Sequence, residues 1–122
     1  MELKLGEIES RFADIIWTNE PLTSGKLALL AEQELGWKES TSYTILKRLC
    51  DRGLFQNVKR TVTSLVTKEE FYAMQSEKFV EDTFDGSLPA FLAAFGKRKK
   101  YTDEEVERMK EILDSMRGDS DA

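Results

Sequence analysis

The chain has 122 residues, 40% of them hydrophobic and 34% charged, with one cysteine, no histidine and a formal net charge of −5. This suffices for one compact domain with a modest core, or for a small domain with an appendage. A lone cysteine excludes an internal disulfide framework, no apolar run approaches the ~18 residues of a membrane span, and MELKLGEIES lacks the basic start and apolar centre of a signal peptide, so a soluble cytoplasmic protein is expected.

Leu5, Ile8, Phe12 and Ile15-Ile16 recur at steps of three and four, which predicts an amphipathic helix over residues 7–19. Asn19-Glu20-Pro21 breaks it. Thr23 or Ser24 can cap a second helix with Leu27, Leu30, Ala31 and Leu35 on its inner face and Gly36 at its end. A third helix follows in STSYTILKRLCDRGLF, residues 40–55, with Ser40 as its predicted cap and Gly53 as a left-handed stop. Ile45, Leu46, Leu49 and Cys50 share one side of it, so Cys50 reads as a small buried hydrophobe rather than a redox switch. The other side is left with Thr41, Tyr43, Thr44, Lys47 and Arg48, a crowd of hydroxyls and cations that core filling does not require.

Residues 54–66 (LFQNVKRTVTSLV) are rich in β-branched and aromatic types and predict two short antiparallel strands joined at Lys59-Arg60, although the turn lacks glycine or Asn-Gly. Thr67-Lys68-Glu69-Glu70 fits a capping box, opening a fourth helix that runs to about Phe84 and stops at Asp85-Gly86. Ser87 can cap a fifth helix bearing Leu88, Phe91, Leu92 and Phe95, which Gly96 is predicted to stop. Lys97-Arg98-Lys99-Lys100 reads as an exposed basic link. A second capping box, Thr102 to Glu105, opens a helix with Val106, Met109, Leu113 and Met116 in a stripe, and residues 117–122 read as a frayed tail.

Three helices, a hairpin and three more helices define a mainly α fold with a small β-hairpin. The first part follows the order of a winged helix-turn-helix, in which the third helix enters the DNA major groove with the hairpin beside it. Charge is segregated to match. Residues 38–68 hold seven basic and two acidic side chains, a surplus of five positive charges, so the rest of the chain carries ten negative ones. Ser40, Thr41, Tyr43, Thr44, Lys47 and Arg48 are the candidate DNA contacts on the third helix, and Lys59 and Arg60 those of the wing.

The apolar residues after position 67 exceed what an appendage can bury alone. Phe79, Phe84, Leu88, Phe91, Leu92, Phe95, Val106, Met109, Leu113 and Met116 are therefore the candidate interface of a homodimer. The chain divides into a winged-helix DNA-binding domain over residues 1–67 and a helical dimerisation domain over residues 68–122. An enzyme is the main rival class, but without histidine a Ser-His or metal-His site is excluded, and one cysteine cannot build a zinc site. Asp85-Gly86-Ser87 reads as turn and cap, and no metal or other cofactor is expected. The second rival is a helical protein-interaction module that uses the winged fold without DNA; the basic window opposes it.

STSYTILKRLCDRGLF also resembles the recognition helix of the penicillinase repressor family, bacterial regulators of β-lactamase and methicillin-resistance genes. That family typically reads Thr-Val-x-Thr-Leu-Leu-x-Arg-Leu-x-x-Lys-Gly, matched here by Thr41, Thr44, Leu46, Arg48, Leu49 and Gly53. The likeness extends through LGEIESRFADIIW, VTKEEF, FDGSLPAFLAAF and the final helix. It implies a homodimeric repressor on double-stranded DNA with an inverted-repeat operator. In some members, a membrane-bound β-lactam sensor triggers a cut that by position falls here between Ala94 and Phe95. Ala94 stands where the members known to be cut have asparagine, and TVTSLV lacks the family's usual wing tyrosines. With no cysteine after position 50, the copper-responsive branch of the family is not matched.

Overall fold

Phe12, Ala13, Ile15 and Ile16 fall on one side of the first helix, α1 (Glu7–Asn19), and all four are buried. The computed structural model describes residues 5–118. After α1 come β1 (Leu22–Thr23), α2 (Ser24–Leu35), α3 (Glu39–Asp51), β2 (Phe55–Val58), β3 (Thr61–Ser64), α4 (Lys68–Phe84), α5 (Leu88–Arg98) and α6 (Asp103–Ser115). The predicted order of three helices, hairpin and three helices is the observed one. Of the predicted frayed tail, residues 119–122 lie outside the described residues.

The N-terminal core gathers Phe12 and Ile16 from α1, Leu27 and Ala31 from α2, Leu46 and Leu49 from α3, Leu54, Phe55 and Val62 from the wing, and Phe71 from α4. Phe12 stacks on Trp37 with ring centroids 4.9 Å apart. Local chemistry sets the element ends. The Thr23 hydroxyl accepts from the Lys26 amide at 3.0 Å, and Gly36 closes α2 in the left-handed region at φ 71°. Such a hydroxyl cap contributes about 1 kcal/mol over alanine.

The predicted cap of α3 is corrected. The helix starts at Glu39 with Lys38 as N-cap, and Ser40 lies inside the first turn. The Thr41 and Ser42 amides both donate to the Lys38 carbonyl, at 3.0 and 3.2 Å, so these turn amides are satisfied without a side-chain cap and the hydroxyls of Ser40 and Thr41 face outward.

The sheet has a third strand that the sequence did not reveal. β1 pairs with β3 through Leu22↔Val62 and Thr23↔Thr61, giving the antiparallel order β1-β3-β2. Two residues after a proline carry no alternation by which a strand is recognised. Beside it, the Glu20 carboxylate accepts from both the amide and the hydroxyl of Ser64, each at 2.8 Å, and pins the far end of β3.

Both predicted capping boxes are present, Thr67 with Glu70 and Thr102 with Glu105. Hydrogen bonds from Thr102 hold the Glu105 carboxyl below its usual pKa. Asp85 and Gly86 end α4 at φ 51° and 80°, and the Ser87 hydroxyl caps α5 through the Ala90 amide at 3.1 Å. Gly96, however, does not stop α5. It keeps helical φ, the Lys99 amide donates to the Phe95 carbonyl at 3.0 Å, and Lys97 and Arg98 form the last turn, where cations suit the helix dipole. A glycine costs a helix interior about 1 kcal/mol against alanine, too little to end a helix by itself.

Phe71 is fully buried although it belongs to α4, so the first turn of that helix completes the N-terminal core. Replacing it with alanine is expected to lower the unfolding free energy by about 3–5 kcal/mol, seen in a urea titration as an earlier midpoint at unchanged slope.

Candidate nucleic-acid interface

Leu46 and Leu49 turn inward from α3, and their burial decides which side of the helix faces out. At about 100° per residue, Ser40, Thr41, Tyr43, Thr44, Lys47 and Arg48 fall within an arc of about 160°, while Ser42, Ile45, Leu46, Leu49 and Cys50 fill the opposite side. All six residues of the outer arc are exposed. Thr44 back-bonds to its own helix, its hydroxyl donating to the Ser40 carbonyl at 2.9 Å. Its proton is therefore engaged, and it offers a ligand its methyl group and an oxygen lone pair. Burial, reinforced by the charge of Asp51, raises the Cys50 thiol above its ordinary pKa and keeps it protonated near neutrality.

The seven cations of the basic window do not all point to solvent unopposed. Lys68 pairs with Asp14 at 2.9 Å, and half-buried Arg52 sits 3.8 Å from Glu9 of α1. Lys47 pairs with Asp51 at 3.2 Å, one turn along the same helix. Both partners of that pair are well exposed, so it is worth under about 1 kcal/mol and opens readily for a competing anion. Among the described residues, Lys38, Arg48, Lys59 and Arg60 stand in no ion pair. Lys38 is a candidate contact that helical spacing missed. It precedes the stripe rather than lying on it, and only the charge window included it.

The wing tip is built by an unusual turn. Lys59 and Arg60 both adopt left-handed conformations, φ 51° and 66°, in the two-residue turn between Val58 and Thr61. Positive φ at both central residues is the I′ geometry that matches hairpin twist, normally supplied by Asn-Gly. Two long cationic side chains thus stand at positions where glycine is the unstrained choice. The turn is fastened to the helix-turn-helix by the Ser24 amide, which donates to the Arg60 carbonyl at 2.9 Å. No acid occurs in either wing strand.

The C-terminal candidates lie on a different surface. The rings of Phe79, Phe84, Phe91 and Phe95 form a chain, with Phe84–Phe91 centroids 5.4 Å and Phe91–Phe95 4.8 Å apart. This contact leaves much apolar surface open: Phe79 is 51% exposed, Phe95 47%, Leu113 43% and Met116 56%. Leu92 and Val106 are exposed as well, Leu88 and Met109 are half-buried, and neither α5 nor α6 buries a single side chain fully. Ala94 and Phe95 lie in the interior of α5.

A helical trio with a three-stranded sheet, an uncovered polar face on its third helix and a basic hairpin tip make this a winged helix-turn-helix protein with a helical C-terminal region. The family model described as penicillinase repressor matches residues 5–115, and the chain belongs to that family. Its members are transcriptional repressors, regulators rather than enzymes. No curated protein matches the chain at a significant level. Among the described residues no helix is long and apolar enough to cross a membrane, and no three or more metal-ligating side chains cluster.

The turn geometry makes a stability prediction. The double change Lys59→Asn and Arg60→Gly relieves two strained backbone positions and should stabilise the fold by about 1–2 kcal/mol, measured by thermal or urea unfolding.

Proposed function

We propose that the protein is a sequence-specific repressor that binds double-stranded DNA as a homodimer on an inverted-repeat operator. The observation that carries this reading is the uncovered polar arc of α3, flanked by Lys38, Arg48, Lys59 and Arg60, which stand in no ion pair among the described residues. Thr41, Tyr43 and Thr44 face base edges in the major groove, Arg48, Lys59 and Arg60 meet phosphates with Lys38 beside them, and Ser40 and Lys47 add contacts along the same face. Because the Thr44 proton is held by Ser40, Thr44 reads DNA through its methyl group against a thymine methyl, or by accepting from a base amino group.

The open apolar surface of the C-terminal helices supports the dimer, since contiguous exposed patches of this kind mark interfaces. Residues 1–67 then serve as the DNA-binding domain and residues 68–122 as the dimerisation domain, with the first turn of α4 shared between them. The family supports a role in controlling resistance-type genes, with a membrane-bound sensor and its protease as upstream partners. A cut between Ala94 and Phe95 would have to open α5 first, because both residues are inside the helix. Cutting there would separate Phe95 and α6 from the shared core and lower avidity without touching a DNA-contacting residue.

The four basic side chains of residues 38–68 that stand in no ion pair give about eight phosphate contacts per dimer, so specific affinity should fall about 10⁴-fold between ~50 and ~200 mM salt. Lys59→Ala should weaken specific and random duplexes alike, whereas Thr44→Ala should cost about 0.5–1.5 kcal/mol per half-site on the preferred site and relax one base position there. Equal losses for both variants on both DNAs would remove sequence reading by α3. Salt-independent or absent DNA binding would favour the protein-interaction module.

Assembly is tested separately. Phe91→Asp or Leu113→Asp should turn a sedimenting dimer into monomers or aggregates, because each places a charge in the shared core. A monomeric wild type at micromolar concentration would overturn the homodimer.

A further inference from the structure

Asp14 and Trp17 stand one turn apart on α1, and both hold the start of α4. The Trp17 indole N–H donates to the Val66 carbonyl at 3.0 Å, just ahead of the Thr67 cap. Its ring centroid lies 5.2 Å from that of Phe55 on the wing and 5.9 Å from that of Phe71 on α4. Asp14 fixes Lys68 at 2.9 Å, and Phe71 is fully buried beneath the indole. One tryptophan thereby joins α1, the wing and the first turn of the connecting helix. From that anchor α4 runs 17 residues without glycine or proline, to the Phe79 and Phe84 rings that pack on Phe91.

We propose that Trp17 is a positioning residue: it fixes the direction of α4 on the winged unit and makes the spacing between two operator half-sites a recognised quantity. The inference rests on the homodimeric DNA reading proposed above. A helix of this length is about 25 Å long, so a wobble of roughly 10° at its base displaces its far end by about 4 Å. One added base pair shifts a half-site by about 3.4 Å along the duplex and rotates it by about 35°. A loose junction would absorb such a change, and the two wings would then depend on spacing only through effective concentration. An indole with its N–H bonded, an ion pair and a buried ring instead hold the base of α4 at three successive points, Val66, Lys68 and Phe71.

The test uses the full-length protein. Wild type first selects its preferred site from a pool of random duplexes. Affinities are then measured for that site, for versions with one base pair added or removed between the half-sites, and for a single half-site. Wild type should lose ~10-fold or more for either spacing change, well beyond an effective-concentration effect. Trp17→Phe with Lys68→Ala keeps an aromatic ring in place but removes the hydrogen bond and ion pair. It should bind the half-site as wild type does, yet lose most of the spacing preference. A second variant, Ala73→Gly with Ser76→Gly, softens exposed positions of α4 beyond the anchor and should lose the preference in the same way.

A DNA-free measurement separates the outcomes. Spin labels at Asn57→Cys, in a Cys50→Ala background, should give a narrow wing-to-wing distance distribution that broadens in both variants. A wild-type dimer that tolerates spacing changes, shows broad distances, or shares its spacing preference with both variants overturns the inference alone. No selected inverted repeat, or no dipolar signal between labels, overturns the homodimeric reading and the inference with it.

Discussion

Burial of Leu46 and Leu49 under α2 and the wing is the constraint from which the outer surface of the winged unit follows. Each is worth about 1.5–3 kcal/mol when fully buried, and together they fix the rotation of α3 about its axis. Once that rotation is set, Thr41, Thr44 and Arg48 have no orientation left except outward, and Ser42 none except inward. The wing is placed by the same core, because Leu54, Phe55 and Val62 share it, and by the Ser24 amide on Arg60. The face that reads as functional is thus a consequence of packing on its reverse.

The two halves of the chain treat apolar surface differently. The N-terminal unit closes on itself, with Phe12, Phe55 and Phe71 fully buried, whereas the Phe79, Phe95, Leu113 and Met116 side chains stay open. α4 connects these regimes within one helix. Its first turn belongs to a finished core and its last turns to an unfinished one. Strain is handled in a similarly local way: left-handed Lys59 and Arg60 are tolerated because strand pairing on both sides of the turn, with Val58↔Thr61 next to it, determines their backbone.

Helices, caps and the outer face of α3 were legible in the sequence because each depends on residues three or four apart. Thr67-Glu70 and Thr102-Glu105 are local hydrogen-bond pairs, and Leu46-Leu49 is a local period. Legibility failed where a weak local signal met a competing contact. Gly96 suggested a stop that the continuing backbone bonds of α5 overrode, and Ser40 suggested a cap that the Lys38 carbonyl made unnecessary. β1 is a strand only because β3 lies beside it.

Charge shows the same limit. Composition gives a surplus of five positive charges over residues 38–68, but Asp14 and Glu9, far earlier in the chain, engage Lys68 and Arg52, and Lys38, Arg48, Lys59 and Arg60 carry the outward field. The sequence by itself determined the order of elements, the polar stripe of α3 and the excess of apolar residues beyond Thr67, since period, capping and composition are properties of neighbouring residues. Only the tertiary structure decided which cations of the basic window find an acid, how the wing tip turns, and that Trp17 joins α1, wing and α4 at one point, because those depend on residues far apart in the chain, such as Trp17 and Val66 at 49 positions, meeting in space.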